Sequence, residues 1–138
     1  MIVLDEQLHG YDFPTILGRW YKGAIITIIQ LRPHTLIPDT DVPRLLHSVR
    51  QPTFVTINVS DFWRKISPDR RFCVVCLPLT DRDVEDVPIL LRQLFKLGPF
   101  STRQRRLGKI VRAGRERVQY YSIDSWAVQT VDWPKRKR

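Results

Sequence analysis

Short apolar runs, separated by polar or amphipathic segments, recur along most of the chain. Four of them are rich in β-branched residues and lie at positions 2–4, 24–31, 53–59 and 71–79. Apolar runs of this length, without regular polar alternation, are typical of strands buried on both faces of a parallel sheet. We therefore expect these four segments to form the centre of a sheet.

Segments with helical spacing follow the predicted strands. In the clearest one, Asp41 directly precedes a Val-Pro pair, and proline is well tolerated in the first turn of a helix. The same three residue types begin a second helix over 86–98. Two shorter helical segments are predicted at 13–23, with Thr15 as N-cap, and at 60–66, with Ser60 or Asp61 as N-cap. This alternation predicts an α/β fold with a central, mostly parallel sheet flanked by helices. Right-handed crossovers would place the carboxyl ends of its strands at one edge.

The last third adds a different element. Extended segments on either side of Ala113-Gly114 predict a hairpin, within a basic region of about 103–124. With 138 residues, 43% of them hydrophobic, the chain suits one domain, assigned to 1–133, and a basic tail at 134–138. No apolar run approaches the about 20 residues of a membrane span, and no secretory signal is evident. We therefore expect a cytoplasmic protein without membrane contact.

The net charge of +9 is unevenly distributed. Residues up to Leu91 include 10 basic and 11 acidic side chains, whereas those from Arg92 onward include 13 basic and 3 acidic. Such a local excess indicates an anionic partner, and nucleic acid is the simplest one. The candidate nucleic-acid-binding residues are Arg103, Arg105, Arg106, Lys109, Arg112, Arg115 and Arg117. A solvated basic hairpin is the structural alternative.

The two cysteines, Cys73 and Cys76, have the CxxC spacing of redox and metal sites. They lie within a predicted buried strand, where residues three apart point to opposite faces. We therefore expect both to be structural.

Acidic and amide side chains follow three of the predicted strands. They are Asp5 and Glu6 after the first strand, Asp39 and Asp41 after the second, and Asn58 and Asp61 after the third. If these strands are neighbours, the side chains converge, and converging carboxylates repel one another unless a proton or a cation neutralises them. Mg²⁺ or Mn²⁺ suits such an oxygen-only site, and phosphodiester hydrolysis is the chemistry that it would support beside a basic surface. Helix capping by Asp41 and Asp61 is the structural alternative.

Three stretches of the chain resemble the PIN-like nuclease superfamily. They are "IVLDEQL", "PDTDVPRLLHSVRQPTFVTINVSDFW" and "CVVCLPL", and the likeness covers about residues 1–97. It is nearest to small single-domain bacterial PIN-like proteins, many of them toxins paired with antitoxins. In that family a strand ends in Asp-Glu, a loop acid precedes a helix, and a "vTxDxDF" segment follows the third strand. The chain departs from this pattern at Asn58, where the family has an acid, and one extra residue precedes Asp61.

The resemblance implies a metal-dependent ribonuclease in which Asp5, Asp41 and Asp61 are catalytic. By this resemblance, Asp5 would be the principal metal ligand, with Glu6 beside it. Asp41 or Asp39 would supply the second carboxylate, and Asp61 would match the aspartate of the family's Asp-Phe pair. RNA would be the substrate and an antitoxin the partner; the oligomeric state, a homodimer included, stays open. Because Asn58 brings no charge, the alternative is a degenerate PIN-like module that binds nucleic acid or protein without catalysis.

Overall fold

A computed structural model describes residues 1–135, so residues 136–138 of the predicted tail lie outside it. Within the described residues, seven strands form a single sheet. They are β1 (Ile2–Leu4), β2 (Ile25–Thr27), β3 (Thr53–Thr56), β4 (Cys73–Cys76), β5 (Lys109–Ala113), β6 (Arg117–Ser122) and β7 (Gln129–Asp132). Their order across the sheet is β2-β1-β3-β4-β5-β6-β7. The first five strands are parallel, whereas β6 and β7 are antiparallel to their neighbours.

Five short helices lie in this part of the chain. They are α1 (Phe13–Gly18), α2 (Val42–His47), α3 (Val59–Phe62), α4 (Val87–Phe95) and α5 (Arg103–Arg106). Helices α1, α2 and α4 each have a proline in the first turn, where its missing N–H removes no helical hydrogen bond. No helix in residues 1–135 is long and apolar enough to cross a membrane.

The core consists of two layers, one on each face of the sheet. Helices α1 and α4 pack on one face, against β1 and β3–β6. Helices α2 and α3 pack on the other, where Phe54 and Phe62 lie at the centre. The α/β architecture with a mostly parallel sheet is therefore confirmed.

The four crossover connections do not share one hand. The β1–β2 and β4–β5 connections both pass over the α1/α4 face, yet they step across the sheet in opposite directions. The β2–β3 and β3–β4 connections pass over the α2/α3 face. Three crossovers therefore have the same hand, and the β4–β5 crossover has the opposite hand. The prediction that all crossovers are right-handed is therefore wrong for at least one of them. Because the β4–β5 connection passes over the α1/α4 face, no helix in the described part of the chain covers the α2/α3 face of β5 beyond Ile110, which is itself buried in that layer.

Several predicted boundaries are wrong. The second strand ends at Thr27 rather than 31, because a 3-10 turn over Ile28–Leu31 follows it. Helix α1 begins after Asp12, so Thr15 lies inside it rather than at its N-cap. Ser60 and Asp61 likewise lie within α3, which Asn58 precedes.

The predicted hairpin is confirmed as β5 and β6, whereas β7 was not predicted. Strand β7 is exposed at three of its four positions, so it lacks the apolar pattern that identifies a buried strand. Cys73 and Cys76 are free and buried on opposite faces of the sheet, as expected. Burial raises the pKa of each thiol to about 12, which leaves both unreactive near neutral pH.

The packing of Tyr121 gives a test of the fold. Its hydroxyl group, buried between β6 and the segment after α3, donates to the carbonyl oxygen of Ile66 at 2.7 Å. Tyr121→Phe leaves that carbonyl without this partner, so we expect the free energy of unfolding to fall by about 1 kcal/mol. Urea unfolding would measure it. Tyr120→Phe is the matched control, because its hydroxyl bonds the exposed side chain of Gln129, and an equal loss there would contradict the assignment.

Candidate functional site

The buried carboxylate of Asp5 lies where β1 ends. Its side chain is 4% exposed, and its backbone N–H donates to the Val55 carbonyl oxygen of β3. One carboxylate oxygen accepts from the N–H of Glu6 at 2.8 Å, and the other accepts from the hydroxyl of Thr56 at 2.6 Å. Burial raises the pKa of Asp5, the two hydrogen bonds oppose this rise, and the nearby charge of Glu6 adds to it. Each oxygen can still accept another bond or a cation.

Thr56 links the first and third strands at this point. Its fully buried hydroxyl donates to Asp5 and accepts from the backbone N–H of Asn58 at 2.9 Å. It therefore holds Asp5 in one rotamer and orients the turn that leads into α3. Thr56 was not among the residues predicted for the site, although a threonine at the end of an apolar strand is a signal for such a role.

Asp39 and Asp61 meet from two different segments. Asp39 begins the 3-10 turn before α2, Asp61 lies on α3, and their carboxyl groups interact. Burial, the interaction with Asp61 and the charges of Asp5 and Glu6 raise the pKa of Asp39 to about 6. The amide of Asn58, which donates to Asp61, and the interaction with Asp39 lower the pKa of Asp61. Just below about pH 6, a protonated Asp39 therefore lies beside an ionised Asp61.

Asn58 is bound within the same cluster. Its amide nitrogen donates to Asp61 at 2.7 Å, and its carbonyl oxygen accepts from Ser60 at 3.3 Å. An uncharged amide thus takes the place of a further negative charge and stabilises the ionised form of Asp61.

Asp41 is oriented differently from Asp39. Its carboxylate forms an ion pair with Arg32 at 2.8 Å, with both side chains between a quarter and a third exposed. Its charge is not among those that act on Asp39. The predicted site residues that lie near one another are therefore Asp5, Glu6, Asp39, Asn58 and Asp61. Asp41 is not part of this group, because its carboxylate pairs with Arg32.

The structural alternative for the acids was helix capping. Asp41 occupies the N-cap position of α2 but makes no capping hydrogen bond, and Asp61 lies inside its helix. By contrast, Asp5 does cap the 3-10 turn over Glu6–Leu8. Capping therefore accounts for one contact of Asp5 and for neither of the other two carboxylates.

The donor types in this cluster suit a hard divalent cation, because carboxylate and amide oxygens are what Mg²⁺ and Mn²⁺ prefer. The raised pKa of Asp39 also marks a point where negative charge needs neutralising. Among the described residues, no three His, Cys, Asp or Glu side chains lie close enough together to hold an ion in this conformation. Asp5, Asp39 and Asp61 would have to move closer together to share one.

The seven predicted nucleic-acid-binding residues divide between opposite edges of the sheet. Arg103, Arg105, Arg106 and Lys109 lie in α5 and at the start of β5, whereas Arg112, Arg115 and Arg117 lie around the β5–β6 turn. Because β5 is parallel to β1 and β3, only the second group shares the edge of the acids.

Several of these cations have structural partners. Arg106 is 6% exposed, donates to the Phe100 carbonyl oxygen at 2.9 Å and lies 3.9 Å from the centre of the Phe95 ring. Lys109 donates to the Pro99 carbonyl oxygen at 2.8 Å. Arg115 forms an ion pair with Asp86 at 2.6 Å. Their charges count toward the basic excess, yet these contacts already hold their side chains.

Comparisons of the chain with protein-family models, with curated proteins and with solved structures found no match. A function is therefore inferred from the residues and their geometry.

Asp39→Asn tests the electrostatics of the cluster. Between pH 3.8 and about 6 the folded protein binds a proton at Asp39 that the unfolded chain does not, so wild-type stability falls as pH rises through this window. The asparagine variant lacks this loss and can still donate to Asp61. We expect it to be more stable than wild type by the order of 0.5 kcal/mol at neutral pH, with the difference vanishing toward the lower end of the window.

Thermal unfolding across this pH range would measure the effect. Asp12→Asn is the control, since Asp12 is exposed and makes no capping hydrogen bond. If the difference in stability between Asp39→Asn and wild type does not change with pH, the raised pKa of Asp39 is contradicted.

Proposed function

We propose that this protein is a divalent-metal-dependent ribonuclease of the PIN-like type. The observation that carries the proposal is the position of Asp5, a buried carboxylate at the end of β1, near the carboxyl groups of Asp39 and Asp61. An antitoxin partner stays a prediction from the resemblance alone.

In this proposal each residue has a separate role. Asp5, held by Thr56 and the Glu6 N–H, is the fixed ligand. Asp39 and Asp61 would complete the ligand set by moving closer to Asp5, and Asp39 would lose its proton when a cation binds. Asp39 takes the role that the resemblance gave first to Asp41, because Arg32 already neutralises Asp41. When bound, Mg²⁺ or Mn²⁺ supplies an activated water and stabilises charge on the phosphate.

A second function is a binding module without catalysis. Asn58 favours it, because the amide bonds Asp61 in place of a ligand acid. The lack of a ready three-ligand group among the described residues favours it as well. Under this alternative the acids would only shape the edge of the sheet, and RNA binding would need no metal.

Asp5→Asn separates the two functions. We expect cleavage of single-stranded RNA in Mn²⁺ to fall by about 10²-fold or more, because the variant loses the negative charge at the centre of the site. Asp124→Asn is the control, since Asp124 is exposed and follows β6 at the opposite edge. Equal cleavage by wild type and Asp5→Asn would overturn the role of Asp5, and metal-independent binding without turnover would favour the second function.

Asn58→Asp tests the departure from the family pattern. The variant places a further carboxylate beside Asp61, and the added repulsion between carboxylates should lower its unfolding temperature below that of wild type when no metal is present. Added Mn²⁺ should raise its unfolding temperature by more than it raises that of wild type, because an ion that binds only the folded state stabilises it by mass action. No gain from Mn²⁺ in either protein would count against a metal site here.

A further inference from the structure

One row of side chains across the sheet is polar where its neighbours are apolar. Thr56, Cys76, Arg112 and Gln119 are successive partners in the register of β3 to β6, and Asp5 contacts Thr56 at the β1 end. Because residues paired across strands share a face, all of them lie on the α2/α3 face. The buried Cys76 lies in this row between Thr56 of β3, which contacts Asp5, and Arg112 of β5.

The α2/α3 face is open over the far end of this row. The β4–β5 connection passes over the other face, so no helix in residues 1–135 covers β5 and β6 near their turn. A groove of about 480 Å³ lies there, lined by Pro78, Arg112, Glu116, Arg117 and Gln119 among others. It belongs to the same edge and the same face as the acids.

Two cations in this groove are available to a ligand. Within residues 1–135, the guanidinium groups of Arg112 and Arg117 form no ion pair or hydrogen bond, although Asp132 is the register partner of Arg117. Arg115 also lines the groove, but its guanidinium group forms ion pairs with Asp86 and Asp83. Gln119 adds a neutral group that can donate to a phosphate oxygen.

We infer that Arg112, Arg117 and Gln119 form a subsite for the phosphate backbone of a single-stranded RNA whose scissile phosphate lies at Asp5. This subsite rests on the proposed ribonuclease function. Three strand spacings, about 14 Å, separate β1 from β5. That span exceeds one nucleotide step, which is about 3.4 Å per strand in a stacked duplex. The subsite therefore selects a polynucleotide over a short phosphodiester.

Binding is tested without catalysis, in EDTA, by fluorescence anisotropy with a labelled oligouridylate. The double variant Arg112→Gln/Arg117→Gln should bind the oligouridylate with an affinity at least about tenfold lower than that of wild type. The slope of log affinity against log salt should become shallower by about 1.4, because each phosphate of a single strand that is no longer neutralised reduces it by about 0.7. Affinity and slope equal to those of wild type would overturn the subsite.

The matched control is Arg19→Gln/Arg92→Gln, which removes the same charge from two exposed positions, directly after α1 and on α4, on the opposite face. This control variant should bind the oligouridylate as wild type does. If it loses as much affinity as Arg112→Gln/Arg117→Gln, the change in net charge alone explains the loss, and the subsite is overturned. If Arg103→Gln/Arg105→Gln loses affinity and Arg112→Gln/Arg117→Gln does not, the RNA binds instead at the opposite edge of the sheet, where the parallel strands begin. If the double variant fails to fold, Gln119→Glu tests the same groove, because a carboxylate there should repel phosphate.

Activity on two substrates separates this subsite from the proposed function. Bis(4-nitrophenyl) phosphate is too short to reach the groove, so its Mn²⁺-dependent hydrolysis should be lost in Asp5→Asn and retained in Arg112→Gln/Arg117→Gln. Equal loss of hydrolysis in the double variant would overturn a separate subsite. If wild type hydrolyses neither substrate while oligouridylate binding still depends on Arg112 and Arg117, the ribonuclease fails and the backbone-binding groove stands.

Discussion

The pairing of β1 on both of its sides is the constraint on which this site depends. All three residues of β1 are fully buried, and parallel neighbours flank it as β2 and β3. The residue after such a strand has little freedom, so Asp5 enters the protein interior where the sheet ends. A carboxylate in that position needs hydrogen bonds, and Thr56 and the Glu6 N–H supply them. The geometry of the candidate centre thus follows from the burial of a three-residue strand.

The second constraint is the hand of the β4–β5 crossover. By placing α4 beside α1, it removes a helix from the face that carries Asp5, Thr56 and Arg112. A crossover of the usual hand would have covered the β5 end of this face and left an arginine there without access to solvent or ligand. The exception in topology and the polar row across the sheet are therefore two parts of one arrangement.

The distribution of charge shows why a basic composition does not locate a binding surface. The guanidinium of Arg106 packs on an aromatic ring in the core, and Arg115 neutralises Asp86. Among the seven predicted nucleic-acid-binding residues, Arg112 and Arg117 share the edge and face of the acids and form no ion pair with a described residue. Burial and ion pairing thus remove Arg106 and Arg115 from the cations that are free to bind a ligand.

The sequence by itself determined the local features: the central strands, the proline-led helices, the hairpin, the buried cysteines and the acids that follow the strands. Each of these depends on the periodicity or conformational preference of a few neighbouring residues. Only the tertiary structure decided which acids meet, because Asp39 and Asp41 are two residues apart and differ in what lies opposite them. It also decided the strand order, the role of Thr56, the position of β7 and the hand of the last crossover. These depend on contacts between residues far apart in the chain, which no local pattern encodes.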